Sequence, residues 1–444
     1  MTAEVAILNK TAVALAADSA VTISQGNAQQ KVYDSADKLF ELSCKNPLAV
    51  MVNGDMNFAG IPVGVLVKDY RQKIGTFARV IDAAPNFLAY LAEKGRSAPD
   101  SVKQEYLIRT IQPWLARIKS RYDDALSRKI FSVIEDSRKA GTDLTEALDD
   151  LRRNLLSEQL AVLKSAIEKL PDAKFLGNKK FSYSKSDKDV ILALAEDVFD
   201  ELNADQKREI TSIGRILLKK RDTGPTNTGV VVAGFGTDDL FPTLVPYQIY
   251  GVVGDCLKYG DDPVVDIDRD GLSARVMPFA QKEMVERFLY GLDDSIKRDI
   301  AAFCSKTIPE IRKKLLDKLV IGVDDAAMLE REGKDAEEAF IEGLTKEGFD
   351  VIRRRSEAEI EAMVEFMPKP EMARMAEALV NLTSIKRRVT RGAETVGGPI
   401  DVAIVSKAEG FVWVQRKHYF PPELNTAYFE RKRTHVASEG TGNV

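Results

Sequence analysis

Strand-like segments occur in three separated blocks of this chain, with long charged helical segments between them. In the first block, short apolar runs at Glu4 to Leu8, Ala12 to Ala17 and Leu48 to Asn53 are bounded by turn residues, as buried strands usually are. Each block alone is too small to bury a hydrophobic core. The chain is therefore predicted to form one sheet-rich domain that two helical insertions interrupt.

The spacing of apolar and charged residues and the position of turn residues locate the two insertions. Between Thr145 and Leu170, for example, leucines recur at three- and four-residue steps among charged residues, which is typical of exposed helices. The turn-rich stretch Arg221 to Gly229 ends the first insertion, and a strand resumes at Val230. We expect core segments at 1–76, 226–291 and 369–444, and helical insertions at 77–225 and 292–368.

Further elements follow from local periodicity. Helical spacing of apolar residues predicts three helices, at Phe58 to Ile74, Ala280 to Gly291 and Glu371 to Arg387. Apolar runs predict four more strands, at Pro246 to Gly254, Gly271 to Met277, Asp401 to Ser406 and Gly410 to Gln415.

Composition excludes several classes of protein. No apolar run in the 444 residues approaches the roughly 18 to 20 needed to span a bilayer, so no membrane association is expected. A net charge of −4 gives no basic field for nucleic acid. The three cysteines, Cys44, Cys256 and Cys304, form no C-x-x-C pair, which argues against a disulfide framework or a thiolate zinc site. Without a secretory signal at its start, the chain is expected to be cytoplasmic.

Two metal-like patterns have simpler explanations. Asp266, Asp268 and Asp270 copy the first half of a calcium loop, but Met277 stands where a bidentate glutamate is needed, so a turn is preferred. His418 and His435 lie far apart in a basic stretch, which argues against metal ligation. We expect neither a metal nor an organic cofactor.

Several segments resemble the proteasome β-subunit family of N-terminal-nucleophile hydrolases and related bacterial peptidases. The segment Thr2 to Thr22, TAEVAILNKTAVALAADSAVT, is similar to the family's opening hairpin, which includes an acidic residue, here Asp18. The family's lysine at a K-L-F-x-like strand start matches Asp37-Lys38-Leu39-Phe40-Glu41-Leu42, and Gly54-Asp55 follows at the expected place. The closing strand of the family is similar to Gly397-Gly398-Pro399-Ile400-Asp401-Val402-Ala403-Ile404-Val405. Together with a weaker match over Val230 to Gly291, the likeness covers somewhat under half of the chain.

The resemblance implies an α+β fold, a four-layer αββα sandwich, and a specific division of chemical roles. Thr2, exposed once Met1 is removed, would be the nucleophile, and its own α-amine, with an ordinary pKa of about 7.7 to 8.0, would be the base. Lys38 would sit beside Thr2 and favour the neutral amine, and Asp18 would hold Lys38 in place. A backbone N–H near Met51 would stabilise the oxyanion.

The chain departs from the family at two places. Ala393-Glu394-Thr395-Val396 stands where the family usually has Asp-x-x-Ser before the double glycine, so Glu394 or Thr395 would have to substitute. A further serine at the start of a central helix has no match in Met277 to Gln281. Taken singly, Thr2 is an ordinary second residue, Asp18 a turn residue and Lys38 a solvated side chain.

The function implied by the resemblance is a threonine-type hydrolase of amide bonds that forms an acyl ester on Thr2. Its substrates would be peptides or unfolded protein segments, and it would assemble as a homo-oligomer with an unidentified regulatory partner, without nucleic acid or membrane. One alternative is a catalytically silent proteasome-like scaffold that binds a partner through its insertions. Another is an amidohydrolase of small molecules, since a fold does not fix a function.

Overall fold

The computed structural model describes residues 2–25, 29–43, 45–177, 181, 183–221, 223–224, 227–269, 271–318, 322–390, 396–427 and 429–430. Its contacts divide the chain into two compact units. The first comprises Met1–Leu39, Leu240–Pro242 and Asp266–Val444, and the second comprises Phe40–Asp239 and Thr243–Val265. Both units mix helices with antiparallel sheet, so the α+β class is confirmed.

The strands are numbered in chain order. They are β1 (Ala3–Asn9), β2 (Ala12–Ala17), β3 (Val21–Gln25), β4 (Gln29–Tyr33), β5 (Leu39–Ser43), β6 (Leu48–Gly54), β7 (Asn57–Phe58), β8 (Ile61–Pro62), β9 (Lys174–Leu176), β10 (Thr228–Gly234), β11 (Thr243–Val253), β12 (Cys256–Asp261), β13 (Val265–Asp266), β14 (Ala274–Ala280), β15 (Asp401–Ser406) and β16 (Gly410–Gln415).

The helices are numbered in the same way. They are α1 (Val63–Lys73), α2 (Val80–Arg96), α3 (Asp100–Ala140), α4 (Leu144–Glu168), α5 (Lys185–Val198), α6 (Ala204–Lys219), α7 (Glu283–Tyr290), α8 (Asp294–Leu316), α9 (Val323–Gly343), α10 (Asp350–Glu365) and α11 (Lys369–Val389), with a π-helical turn at Leu344–Phe349 and a 3₁₀ turn at Pro422–Leu424.

The first unit is built on an antiparallel sheet whose described strands run in the order β14, β1, β2, β15 and β16. Alternate residues of a strand point to one face, and Ala3, Val5 and Ile7 of β1 accordingly enter one core cluster. Helices α7 and α11 supply the other side of this cluster with residues such as Leu289 and Met372. Every residue of β1 and β2 is buried, so the hairpin is fixed along its whole length.

The second unit contains a sheet whose described strands run in the order β5, β6, β10, β11, β12 and β9, with β13 paired to β11. One core cluster joins strand residues such as Val50 and Val232 to Phe87 of α2. A further cluster holds helices α3 to α6 together through leucines and isoleucines such as Leu160 and Ile213. The helical part of this unit therefore has an apolar core of its own.

Several predicted elements agree closely with the structure. Strands β15 and β16 have the predicted bounds, and α11 extends the predicted helix by two residues at each end. Helix α1 begins at Val63 rather than Phe58, because Asn57 and Phe58 pair with Ile61 and Pro62 in a short hairpin. Strands β3, β4, β9, β12 and β13 were not predicted from the sequence. The bounds of the two insertions stay a prediction.

The metal and membrane expectations concern the described residues only. Within these ranges, no group of three or more His, Cys, Asp or Glu side chains is arranged to hold a metal ion. Asp268 donates its backbone N–H to Leu272 O at 2.9 Å, as in a turn, while Asp270, Cys44 and His435 lie outside the described residues. Over the same ranges, no helix is both long and apolar enough to cross a bilayer.

Candidate active site

The hairpin of β1 and β2 brings Asp18 next to the residue that follows Thr2. Ala3 N–H donates to Asp18 Oδ1 at 3.0 Å, and Asp18 N–H donates to Ala3 O at 3.1 Å. The register that pairs Glu4 with Ala17 makes this meeting a direct consequence of the tight turn between the strands. Thr2 itself is only 3% exposed, so its surroundings are set by the packed end of the sheet.

Lys38 completes a buried ion pair at the same place. Its Nζ donates to Asp18 Oδ1 at 2.6 Å and to Ala20 O at 2.6 Å, and the residue is 1% exposed. A buried charge is costly unless an opposite charge and hydrogen bonds compensate it. Lys38 and the N–H that follows Thr2 thus share one carboxylate oxygen, which places a cation close to the start of β1.

The second carboxylate oxygen of Asp18 fixes a distant segment. Asp18 Oδ2 accepts from Gly397 N–H at 3.0 Å and from Ala20 N–H at 3.3 Å. Ser19 strengthens this link, because its N–H donates to Gly397 O at 3.1 Å and its Oγ donates to Pro399 O at 2.5 Å. Asp18 therefore joins the opening hairpin, Lys38 and the segment before β15 in one hydrogen-bonded cluster.

The second glycine of this segment, Gly398, is required by close backbone approach. Gly398 has a φ of +74°, in the left-handed region that favours glycine. A Cβ at this position would lie 2.9 Å from Asp34 Cβ and 3.0 Å from Asp34 O. The glycine therefore lets the chain turn past residue 34. The two candidate residues before the double glycine, Glu394 and Thr395, lie outside the described residues, as does Met1.

Gln281 contacts Thr2 through its backbone, and no sequence pattern predicted it as a site residue. Its backbone N–H donates to Thr2 O at 3.2 Å, directly after the β14 register that pairs Ala280 with Ala3. The residue is 7% exposed, and its Oε1 accepts from Arg387 Nε of α11 at 2.5 Å. The available signal was its position immediately after a strand that pairs with β1.

Ala280 prepares this arrangement through an unusual backbone conformation. Its φ of +61° is uncommon for a residue with a side chain and costs conformational energy. Such outliers persist only where the surrounding structure fixes them. Here the outlier ends β14 and redirects the chain just as Gln281 reaches Thr2.

Helix α11 contributes a second buried polar side chain. Ser384 Oγ donates to Val396 O at 3.4 Å, next to Gly397. Ser384 and Arg387 are three residues apart and so lie on the same side of the helix. One end of α11 therefore supports both the segment before β15 and the Gln281 side chain. Ser384 and Arg387 were not predicted as site residues either.

Met51, the predicted oxyanion donor, lies in the second unit. It is buried in the middle of β6, where it pairs with Val231 of β10, and β5 lies on the other side of β6. Its role in the chemistry stays a prediction. The described cluster in the first unit consists of Thr2, Asp18, Lys38 and the groups that hold them.

This cluster combines a hydroxyl with a buried ammonium and carboxylate. A hydroxyl becomes a nucleophile when a base takes its proton and a nearby charge stabilises the product. The described residues of the cluster supply the charge, and removal of Met1 would supply the base as an amine on the same residue. In comparisons with protein-family models, curated proteins and solved structures, nothing matches the chain.

Proposed function

We propose that this chain is a threonine-type N-terminal-nucleophile hydrolase that cleaves amide bonds through an acyl ester on Thr2. The observation that carries the proposal is the buried pair of Lys38 Nζ and Asp18 Oδ1, 2.6 Å apart, on the carboxylate that also accepts the N–H of Ala3. Burying a lysine charge costs desolvation free energy, and closing a hairpin does not require a buried lysine, so a functional role explains it better. The proposal rests on the removal of Met1.

The reaction would proceed in two balanced steps. The free α-amine of Thr2 takes the hydroxyl proton while Oγ1 attacks the substrate carbonyl, and the tetrahedral intermediate then expels the leaving amine with that proton. Water, deprotonated by the same α-amine, then attacks the ester. The bond between the acyl carbon and Oγ1 breaks, Oγ1 takes the proton back from the amine, and the acid leaves. Lys38 would favour the neutral form of the amine by its positive charge, and Asp18 would hold Lys38 in position.

The proposal includes the finer fold and the roles that go with it. Each unit by itself contains a sheet with helices packed on it, which is one half of what a four-layer αββα sandwich requires. Met51 would donate to the oxyanion, and Glu394 or Thr395 would assist the amine. Peptides or unfolded protein segments would be the substrates, and a cytoplasmic homo-oligomer would be the working form.

The test compares two preparations that differ by one residue. One fusion is cleaved to leave Thr2 as the first residue, and a second is cleaved to leave Met1 in place. We expect hydrolysis of a panel of fluorogenic peptide amides by the first preparation alone, and loss of that hydrolysis in Thr2→Ala. Equal rates with and without Met1, or an active Thr2→Ala, would rule out Thr2 as the nucleophile. Turnover of small amides but not of peptides would favour the amidohydrolase alternative.

One observation favours the scaffold alternative. Helix α8 has no buried residue along its length, and Phe303, Ile311 and Leu315 are all more than half exposed. An apolar helix face of this kind is typical of a surface that binds a protein partner. If the preparation that begins at Thr2 hydrolyses no amide and accepts no threonine-directed inhibitor, partner binding becomes the better account of the chain.

A further inference from the structure

The Gln281 side chain has one satisfied end and one unsatisfied end. Oε1 accepts from Arg387 Nε at 2.5 Å, whereas Nε2 is buried without a hydrogen-bond acceptor among the described residues. Buried polar groups in folded proteins are nearly always paired, so an orphan of this kind needs an explanation. Its position opposite Thr2 suggests that the missing acceptor arrives with the substrate.

Arg387 fixes which end of the amide is free. A guanidinium only donates hydrogen bonds, so the atom that faces it must be the amide oxygen. The amide nitrogen, with its two N–H groups, then points away from Arg387. The orientation of the Gln281 amide therefore follows from the chemistry of its partner, and the free group is a donor.

A second buried glutamine shows what a structural role looks like. Gln206, at the start of α6 in the other unit, is 3% exposed. Its Nε2 donates to Arg153 O at 3.1 Å and to Ser157 Oγ at 3.4 Å, and its Oε1 accepts from Asn203 N–H at 3.1 Å. Both ends of Gln206 are satisfied within its own unit. Gln281 differs in that its Nε2 has no acceptor among the described residues, and its backbone N–H is bonded to Thr2 O.

We propose that Gln281 is a further catalytic residue, whose Nε2 donates to the carbonyl oxygen of the acyl group that Thr2 attacks. The inference rests on the proposed function. An amide substrate brings a carbonyl oxygen as its strongest acceptor, and that oxygen becomes negatively charged when Oγ1 adds to the carbon. The backbones of the two residues are hydrogen-bonded, with Gln281 N–H donating to Thr2 O at 3.2 Å, so an acyl group on Thr2 Oγ1 would form close to Gln281. A donor already held by Arg387 needs no reorganisation when the charge forms.

The test is steady-state hydrolysis of a fluorogenic peptide amide by protein that begins at Thr2. Gln281→Glu keeps the size of the side chain and an acceptor for Arg387 but replaces the N–H donor with an oxygen. Gln281→Met removes both polar ends. We expect kcat to fall about 100- to 1000-fold in both variants, the usual effect of losing one oxyanion donor, with KM changed by less than about 3-fold. Gln206→Glu and Gln206→Met are the matched controls and should keep kcat within about 2-fold of wild type.

Thermal unfolding of each variant separates chemistry from folding, and Gln281→Glu remains informative if Gln281→Met does not fold. Wild-type kcat in a folded Gln281→Glu would overturn the inference and leave the proposed function standing. An equal fall of kcat in the Gln206 controls would also overturn it, because the effect would then be general. An inactive wild type that begins at Thr2 would instead overturn the proposed function, and this inference with it.

Discussion

Asp18 in the first unit and Asp239 in the second are both buried carboxylates that accept backbone N–H groups from separate segments. Asp239 Oδ2 accepts from Val80 and Gly236, each at 2.9 Å, and so ties the start of α2 to the loop after β10. Asp18 ties the opening hairpin to Gly397 in the same way. The two residues perform the same structural task.

The cations beside these carboxylates differ. Arg79 approaches Asp239 Oδ1 at 3.5 Å and is 48% exposed, so water screens that pair. Lys38 approaches Asp18 at 2.6 Å and is almost completely buried. Asp239 links two chain segments although its cation, Arg79, is half exposed, so this structural role does not require a buried cation. The added burial of Lys38 next to Thr2 is the feature that calls for a functional explanation.

The largest expected contrast is between Asp18→Asn and Asp239→Asn. Asparagine at position 18 turns one acceptor into a donor and leaves the Lys38 ammonium buried without its carboxylate. We expect hydrolysis to fall below detection and the free energy of unfolding to drop by about 3 to 5 kcal/mol in denaturant titrations. Asp239→Asn should lose about 1 to 3 kcal/mol and keep its turnover. Full activity in Asp18→Asn would show that Asp18, like Asp239, has only a structural role.

A second contrast compares two buried lysines. Lys258 of β12 is as buried as Lys38, and its Nζ donates to Thr223 Oγ1 at 3.1 Å in the second unit. We expect Lys38→Met to lower kcat by about 100- to 10,000-fold, because the proton transfer from Thr2 loses its electrostatic support. Lys258→Met should destabilise the protein but keep the turnover of the folded fraction. Equal kcat values for the two folded variants would show that Lys38 is structural.

The smallest contrast concerns the pH dependence of stability. Burial, with Asp294 nearby, raises the pKa of Glu286 in α7, so its charge costs stability as pH rises above its ordinary value of 4.5. The hydrogen bond from Lys174 lowers the pKa of the half-exposed Asp261 in β12, so its contribution is lost as pH falls. At pH 7 we expect Glu286→Gln to gain about 1 kcal/mol and Asp261→Asn to lose less than about 1 kcal/mol.

Both of these effects should fade in urea titrations as pH falls. The Glu286 effect ends below its ordinary pKa of 4.5, and the Asp261 effect ends only below its lowered pKa in the folded chain. A gain from Glu286→Gln that stayed constant from pH 7 down to pH 3 would mean that its charge is not the cause. If Asp261→Asn were still less stable than wild type at low pH, the loss of stability would not come from the ion pair with Lys174.

The sequence was most informative where the signal is local. The apolar runs at Asp401–Ser406 and Gly410–Gln415 predicted both strands with their correct bounds, and helical spacing predicted α11 to within two residues at each end. The start of α1 was wrong because Gly60, with a φ of +81°, allows a short hairpin that apolar spacing does not reveal.

The missed site residues depend on contacts between distant parts of the chain. Gln281 meets Thr2 only because β14 pairs with β1 in one particular register, and Arg387 reaches it from α11. Neither residue type has a distinctive spacing, and a one-residue slip of β14 would turn every side chain of that strand to the other face. By contrast, Asp18 and Lys38 were found through a family resemblance, and their side chains do meet.

The most direct test of the central claim is intact mass before and after incubation with a peptide epoxyketone. This warhead reacts with both the hydroxyl and the amine of an N-terminal threonine. The account predicts loss of Met1 and one stoichiometric adduct in wild type, with no adduct in Thr2→Ala. Retention of Met1 by protein made in its native host, or an adduct of equal yield on Thr2→Ala, would contradict it.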